Sequence, residues 1–178
     1  MTSTQAAAGT TEASPYPSHW EADIVLSDGA TAHIRPITPG DGQLLVDFYA
    51  RVSEESKYYR FFAPRPTLSE RDVRNYTNVD HDDRAAFIVT VSDQMIGVGR
   101  YDRISAGSLD AEVAFLVEDA HHGRGLGSVL LEHLAQAARE RGVRRFVADV
   151  LPANRKMIQV FTDAGYSVRP TYEDGVLH

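Results

Sequence analysis

Apolar and polar positions change period several times along the chain, and each change marks an element. ADIVLSDGATAHIRPI (22–37) alternates on either side of Asp28-Gly29, which predicts a β-hairpin. In PGDGQLLVDFYARVS (39–53), Leu44, Leu45, Phe48 and Tyr49 recur at helical spacing, with Gly40 or Asp41 near the start. SEESKYYRFFAPRPTLSERDVRNYT (53–77) reads as two short helices broken by Pro64 and Pro66. RAAFIVTV (84–91) and MIGVGRYDRI (95–104) read as strands joined by a turn over 92–94, and DAEVAFLV (110–117) as a third. A helix follows in VLLEHLAQAARERG (129–142), where Val129, Leu130, Leu134 and Ala137 share a face, Glu132 and Arg139 lie opposite, and Gly142 is the stop signal. RRFVADV (144–150), a helix over ANRKMIQVFTDAGY (153–166) with Met157, Ile158 and Phe161 on one face, and a last strand beginning in SVRPTY (167–172) complete the series. The order predicts an α/β (α+β) domain with a mixed, mostly antiparallel sheet and helices on both faces.

Composition narrows the class. At 178 residues and 43% hydrophobic content, the chain can form one domain with a substantial core. Residues 1–20, rich in Ala, Thr and Ser, read as a disordered tail, leaving 21–178 as the domain. The formal net charge of −7 argues against nucleic acid as a partner. No stretch approaches membrane-spanning length, so no membrane is expected. With no cysteine there is no thiol chemistry, which agrees with a cytoplasmic setting.

The candidate chemistry begins at HHGRGLGS (121–128), a glycine-spaced loop at the head of a helix. Glycine permits close backbone approach, and a helix N-terminus presents unpaired N–H groups, so the loop reads as an anion cradle. The plainer alternative is a turn that only joins strand to helix. A P-loop would need a lysine after its last glycine, where Ser128 follows Gly127 directly. A dinucleotide fingerprint would need glycine in place of Ser128 and no interruption by 118–122, although Asp149 lies 24 residues past Gly125 where a ribose-binding acid could sit. His121-His122 and VDHDDR (79–84) carry metal-ligand residue types without the spacing of a zinc site, so no metal is expected.

Two stretches carry a family resemblance. AEVAFLVEDAHHGRGLGSVLLEHL (111–134) resembles motif A of the GNAT acyltransferases, with His122 in the place of the usual Gln or Arg and Gly125 and Gly127 in the glycine places. NRKMIQVFTDAGY (154–166) resembles the later GNAT motif, and the element order matches that fold from about residue 23 onwards. ESKYYRFFAPRP (55–66), AEVAF (111–115) and YEDGV (172–176) resemble the acetyltransferase domain of bacterial protein lysine acetyltransferases, which in many bacteria is fused to an NDP-forming acyl-CoA synthetase-like domain.

The resemblance implies that the cradle holds the pyrophosphate of acetyl-CoA through backbone N–H groups of Gly123, Arg124, Gly125, Leu126, Gly127 and Ser128. It further implies that Phe115, Leu116 and Val117 pair with the pantetheine arm as an added strand, and that Asn154 contacts that arm. The Arg124 side chain either reaches a phosphate or is a solvated loop arginine. Many GNAT enzymes place a proton-donating tyrosine seven residues after this asparagine. Here Phe161 stands there, beside the thioester, and a continued 3.6-residue period would turn Tyr166 away from it.

Acetylating an amine requires its free base, and a lysine with pKa about 10.4 must give up roughly 4.6 kcal/mol to present one at neutral pH. Glu112, between Ala111 and Val113, is the candidate base, because apolar neighbours raise a carboxylate's pKa towards the working pH, and related acetyltransferases carry a glutamate at this position. The alternative is a glutamate on the solvated face of an edge strand. Residues 51–74 hold six basic and four acidic residues, and Tyr58, Tyr59, Phe61 and Phe62 there read as core of a helical cap.

The expected function is acetyl-CoA-dependent acetylation of a protein lysine, with an acyl-CoA synthetase as partner. A small-molecule amine acetyltransferase and a non-catalytic acyl-CoA sensor are the alternatives. Only Val176, Leu177 and His178 follow the turn residues at 173–175, so the last strand is expected to be cut short.

Overall fold

A computed structural model describes residues 15–167 and the backbone of 172–173 and 176–177. The expected tail lies outside the described residues as far as residue 14. Ser18–Trp20 forms a 3-10 turn, with the Trp20 ring in the core and its Nε1 donating to Glu140 Oε2 at 2.6 Å.

Six strands form one sheet in sequence order: β1 (Ala22–Val25), β2 (Thr31–Pro36), β3 (Arg84–Val91), β4 (Gln94–Arg103), β5 (Asp110–Val117) and β6 (Arg145–Val147). All neighbours are antiparallel except β5 and β6, which are parallel. The β1–β2 and β3–β4 hairpins form where alternation breaks at turn residues. Asp28 Oδ1 accepts from the Ala30 N–H at 3.1 Å, and Ser92 and Asp93 carry the positive φ that a two-residue hairpin turn demands.

The first three helices, α1 (Gly42–Arg51), α2 (Glu54–Phe61) and α3 (Glu70–Thr77), precede β3. Ser53 and Ser69 accept N–H bonds at the starts of α2 and α3, and the 62–69 stretch with Pro64 and Pro66 separates these two helices. Later come α4 (Leu126–Glu140) and α5 (Arg155–Asp163). Strand alternation divides the core between two faces. Phe87, Val89, Val113 and Phe115 pack with Leu130, Leu134 and Phe161 of α4 and α5. Ile88, Met95 and Leu116 pack with Leu45, Phe48 and Tyr49 of α1.

The predicted helix at 129–142 begins three residues earlier, at Leu126, inside the glycine-spaced loop. Its buried stripe includes Leu126 and Leu131 as well as the expected Leu130, Leu134 and Ala137. The segment 168–171 of the expected last strand lies outside the described residues. Beyond it β7 (Tyr172–Glu173) and β8 (Val176–Leu177) form a ladder of two residues a side. No described helix is long and apolar enough to cross a membrane.

Candidate active site

The parallel pairing of β5 with β6 runs from Asp110↔Arg145 to Glu112↔Val147 and stops. Beyond Glu112, Val113–Val117 keep their antiparallel bonds to β4, while the side of β5 towards β6 is no longer paired with it. A cavity of about 770 Å³ opens at this split. Its walls come from β5, the glycine loop, the first turn of α4, the start and middle of α5, and one side of α2.

Glu112, Phe115, Leu116, Val117, Gly123, Gly125, Leu126, Gly127, Ser128, Asn154 and Phe161 all line this cavity. Residues up to 49 positions apart in sequence therefore meet around one space. Phe115 and Phe161 pack edge to face at 6.0 Å, forming part of an apolar floor. Asn154 is the N-cap of α5, its Oδ1 accepting from the Met157 N–H at 3.3 Å. Gly125 caps α4 at φ 80°, and no side chain caps that helix, so its first-turn N–H groups and the positive end of its dipole are left for an anion.

The two glycines expected to allow close ligand approach differ in what they do. Gly125 supplies a left-handed backbone conformation that L side chains resist. Gly127 instead makes room for α5: a Cβ there would lie 3.1 Å from Val160 Cγ2.

Arg124 departs from the expectation. Its side chain does not line the cavity; Nε donates to Asp28 Oδ2 at 2.8 Å and Nη1 to His121 Nδ1 at 2.7 Å. The positive φ of Gly123 and Gly125 reverses the chain on either side of Arg124, so its side chain meets the β1–β2 turn. It is engaged by the hairpin turn and by His121 and is not a free solvated arginine. His122 donates through Nε2 to Val117 O at 3.0 Å, and its Nδ1 lies 3.3 Å from Lys156 Nζ, so its ring ties the end of β5 towards α5.

Glu112 is not on an edge strand, since β5 runs between β4 and β6. Its alternation places it on the face covered by α1–α3, directly opposite Asp102 of β4. The side chain is exposed where it borders the cavity, yet its pKa is raised. Desolvation by the surrounding walls is the main cause, with Asp149 next; Arg60 opposes and Asp102 reinforces the shift. The exposure and the shift agree once the solvent at Glu112 is confined between protein walls rather than bulk.

Helix α2 supplies a wall the sequence reading had placed in the core. Tyr59, Arg60 and Phe62 border the cavity, Tyr58 is exposed, and only Phe61 packs with the core cluster. A period of 3.6 puts Glu55, Ser56, Tyr59 and Phe62 on one side of α2, but which side faces a cavity is not visible without the strand opposite. Asp119 fixes α2 against the loop, accepting from Ser53 N–H and Oγ at 2.8 Å and Ser56 Oγ at 2.9 Å.

Tyr166 also differs from expectation. Helix α5 ends at Asp163, Gly165 adopts φ 85°, and the chain returns so that the Tyr166 ring meets Phe161 edge-on at 5.8 Å. It packs against Phe161 without lining the cavity. Among the described residues no three His, Cys, Asp or Glu side chains gather as a metal site.

A sequence model of the Acetyltransferase (GNAT) family matches residues 48–166. The GNAT domain of S. lividans PAT is 58% identical, with a TM-score of 0.88 over 92% of this chain and 97% of that one. Acetyltransferase Pat of Mycolicibacterium smegmatis is 34% identical over 80% of this chain, which spans 43% of that protein's length. The fold also matches yncA, a putative acetyltransferase from Salmonella typhimurium solved with its cofactor acetyl-CoA, at 18% identity and TM-score 0.66, covering 82% of this chain and 90% of that one.

Proposed function

Because the chain belongs to the GNAT acetyltransferase family, we propose that it transfers the acetyl group of acetyl-CoA to a lysine side chain of a protein, with an acyl-CoA synthetase as the acceptor. The observation that carries this reading is the meeting, in one cavity, of a strand side that β6 no longer pairs, a helix N-terminus with no side-chain cap and a carboxylate whose pKa is raised. The α4 N-terminus and the Gly123–Ser128 backbone suit a pyrophosphate. The side of Phe115–Val117 suits the amide-bearing pantetheine arm as a β-like addition, and Asn154 and Phe161 lie beside its path.

Glu112 acts as the base. A raised pKa makes a carboxylate a better proton acceptor near neutral pH, so the cost of deprotonating a lysine ammonium falls. The freed amine forms a bond to the acetyl carbonyl carbon, the nitrogen gives its remaining extra proton to solvent, the carbon–sulfur bond breaks, and CoA leaves as thiolate. With a thiol pKa near that of cysteine, about 8.5, the thiolate takes its proton from solvent without an enzymic acid. Asp149, which borders the cavity and raises Glu112's pKa, also favours a cationic acceptor there.

Two measurements test the reading. Replacing Glu112 with Ala should reduce transfer by about 10²–10⁴-fold, the usual worth of a positioned base, while acetyl-CoA affinity stays within about twofold. Calorimetry showing that Glu112→Ala no longer binds acetyl-CoA would contradict this division of roles. Labelled acetyl-CoA offered with acyl-CoA synthetases and with free amines should mark the synthetases; labelling confined to small amines would transfer the assignment to that class.

A further inference from the structure

The turn of the β1–β2 hairpin lies against the glycine loop although 96 residues separate Asp28 from Arg124. Arg124 grips Asp28 with two nitrogens, Nε to Oδ2 at 2.8 Å and Nη2 to Oδ1 at 3.4 Å, and holds His121 Nδ1 with Nη1. The backbone is held as well. The Ser27 N–H donates to Arg124 O at 3.1 Å, and Ser27 Oγ donates to Gly123 O at 3.3 Å.

These contacts constrain more than the arginine. In a planar trans peptide the carbonyl and the following N–H point in opposite directions. Drawing the carbonyls of Gly123 and Arg124 towards Ser27 therefore turns the N–H groups of Arg124 and Gly125 away from the hairpin. The cavity is bordered by Gly123 and Gly125 and by no residue of the hairpin, so donors turned away from the hairpin are free to face it.

We propose that Asp28 and Ser27 are positioning residues for the acetyl-CoA site: the hairpin turn latches Arg124 and so orients the peptide units that present N–H groups to the pyrophosphate. The proposal rests on the acetyl-CoA reading of the cavity. It gives Arg124 a definite role, which is to anchor the loop from outside and not to touch the ligand.

The test is calorimetric titration of acetyl-CoA into the whole chain, wild type and variants. Asp28→Asn keeps an acceptor for the Ala30 N–H and removes the charge that holds Arg124. Asp28→Asn and Arg124→Gln should each weaken acetyl-CoA by about three- to fivefold, the scale of a well-formed surface ion pair. The double variant should be no weaker than the weaker single, because both changes open one latch. In steady state the loss should fall on KM for acetyl-CoA more than on kcat.

Losses that add in the double variant, or no loss in either single, would overturn the latch. So would a much larger loss in Arg124→Gln than in Asp28→Asn, which would mean that the arginine itself binds the phosphates. A lower melting temperature with unchanged affinity would reduce the contact to a structural one. A wild-type chain that does not bind acetyl-CoA would overturn the proposed function and the latch with it, whereas the ratios among variants bear on the latch alone.

Discussion

Gly125 and Gly142 share φ 80°, yet only Gly125 borders the cavity, which makes them a matched pair for separating backbone strain from ligand binding. A Cβ at Gly125 would find its nearest neighbours, Ser27 Cβ and Oγ, at 4.0 Å, and one at Gly142 nothing within 4 Å. Alanine at either position therefore meets no clash and pays only the left-handed penalty, roughly 1 kcal/mol at the lower end of its range. In a chain of this length that lowers the melting temperature by about 2–4 °C, in full at Gly142 and at Gly125 only as far as the loop keeps its left-handed conformation. At Gly125 the loop has a second response, which is to relax out of the left-handed conformation. If relaxation relieves the whole strain, about one molecule in five keeps the cradle geometry, and the apparent Kd for acetyl-CoA rises about fivefold. Gly125→Val, with a β-branched side chain, should weaken binding further, while Gly142→Ala should bind like wild type. Thermal unfolding and calorimetric titration measure the two effects separately. Equal affinities for Gly125→Ala and Gly142→Ala would refute the claim that the loop conformation, and not only its presence, holds the ligand.

The rate should follow the charge of Glu112. Its pKa is raised, so kcat/KM for the acceptor should rise with pH on one limb as the base and the free amine form, with no falling limb from an enzymic acid. Arg60 opposes the raised pKa, so Arg60→Met should move the acidic inflection to higher pH, and an inflection that stays in place would show that Glu112 does not set it. A falling alkaline limb abolished by Tyr59→Phe would reveal that the tyrosine bordering the cavity donates to the thiolate. Stability should show an acid-labile contribution from Asp41, which is 5% exposed and meets Arg35 through bonds of 2.7 and 2.8 Å and the Thr38 N–H at 2.7 Å. Desolvation pushes its pKa up, but the Arg35 and Thr38 bonds outweigh it and the net shift is downward. This contribution is therefore present above the unfolded value near 3.9 and lost as pH falls through the lower folded value. Asp41→Asn should cost about 2 kcal/mol at neutral pH, less than a fully buried pair because Arg35 stays partly exposed, and should flatten the acid unfolding profile; a variant as acid-sensitive as wild type would contradict it.

What was legible in the sequence was whatever short-range periodicity and turn chemistry control. Alternation around Asp28-Gly29, helical spacing around Leu130 and Leu134, and the breaks at Pro64 and Pro66 are local. They led to the right elements and the right class of sheet. Glu112 was legible as a carboxylate among apolar neighbours, and Gly125 as a loop glycine ahead of a helix. Only the tertiary structure decided where the strand pairing of β5 stops, because the separation of two parallel strands after Glu112 depends on what packs behind each of them. That same separation turned Tyr59 from an expected core residue into a cavity wall. The packing of the β1–β2 turn decided the fate of Arg124, whose partner 96 residues away leaves no periodic trace, and the ring contact of Tyr166 with Phe161 is likewise set by how the chain folds back after α5. Periodicity records which way a residue faces within its own element, whereas partners across the fold are set by how elements pack, a choice made by the whole core at once.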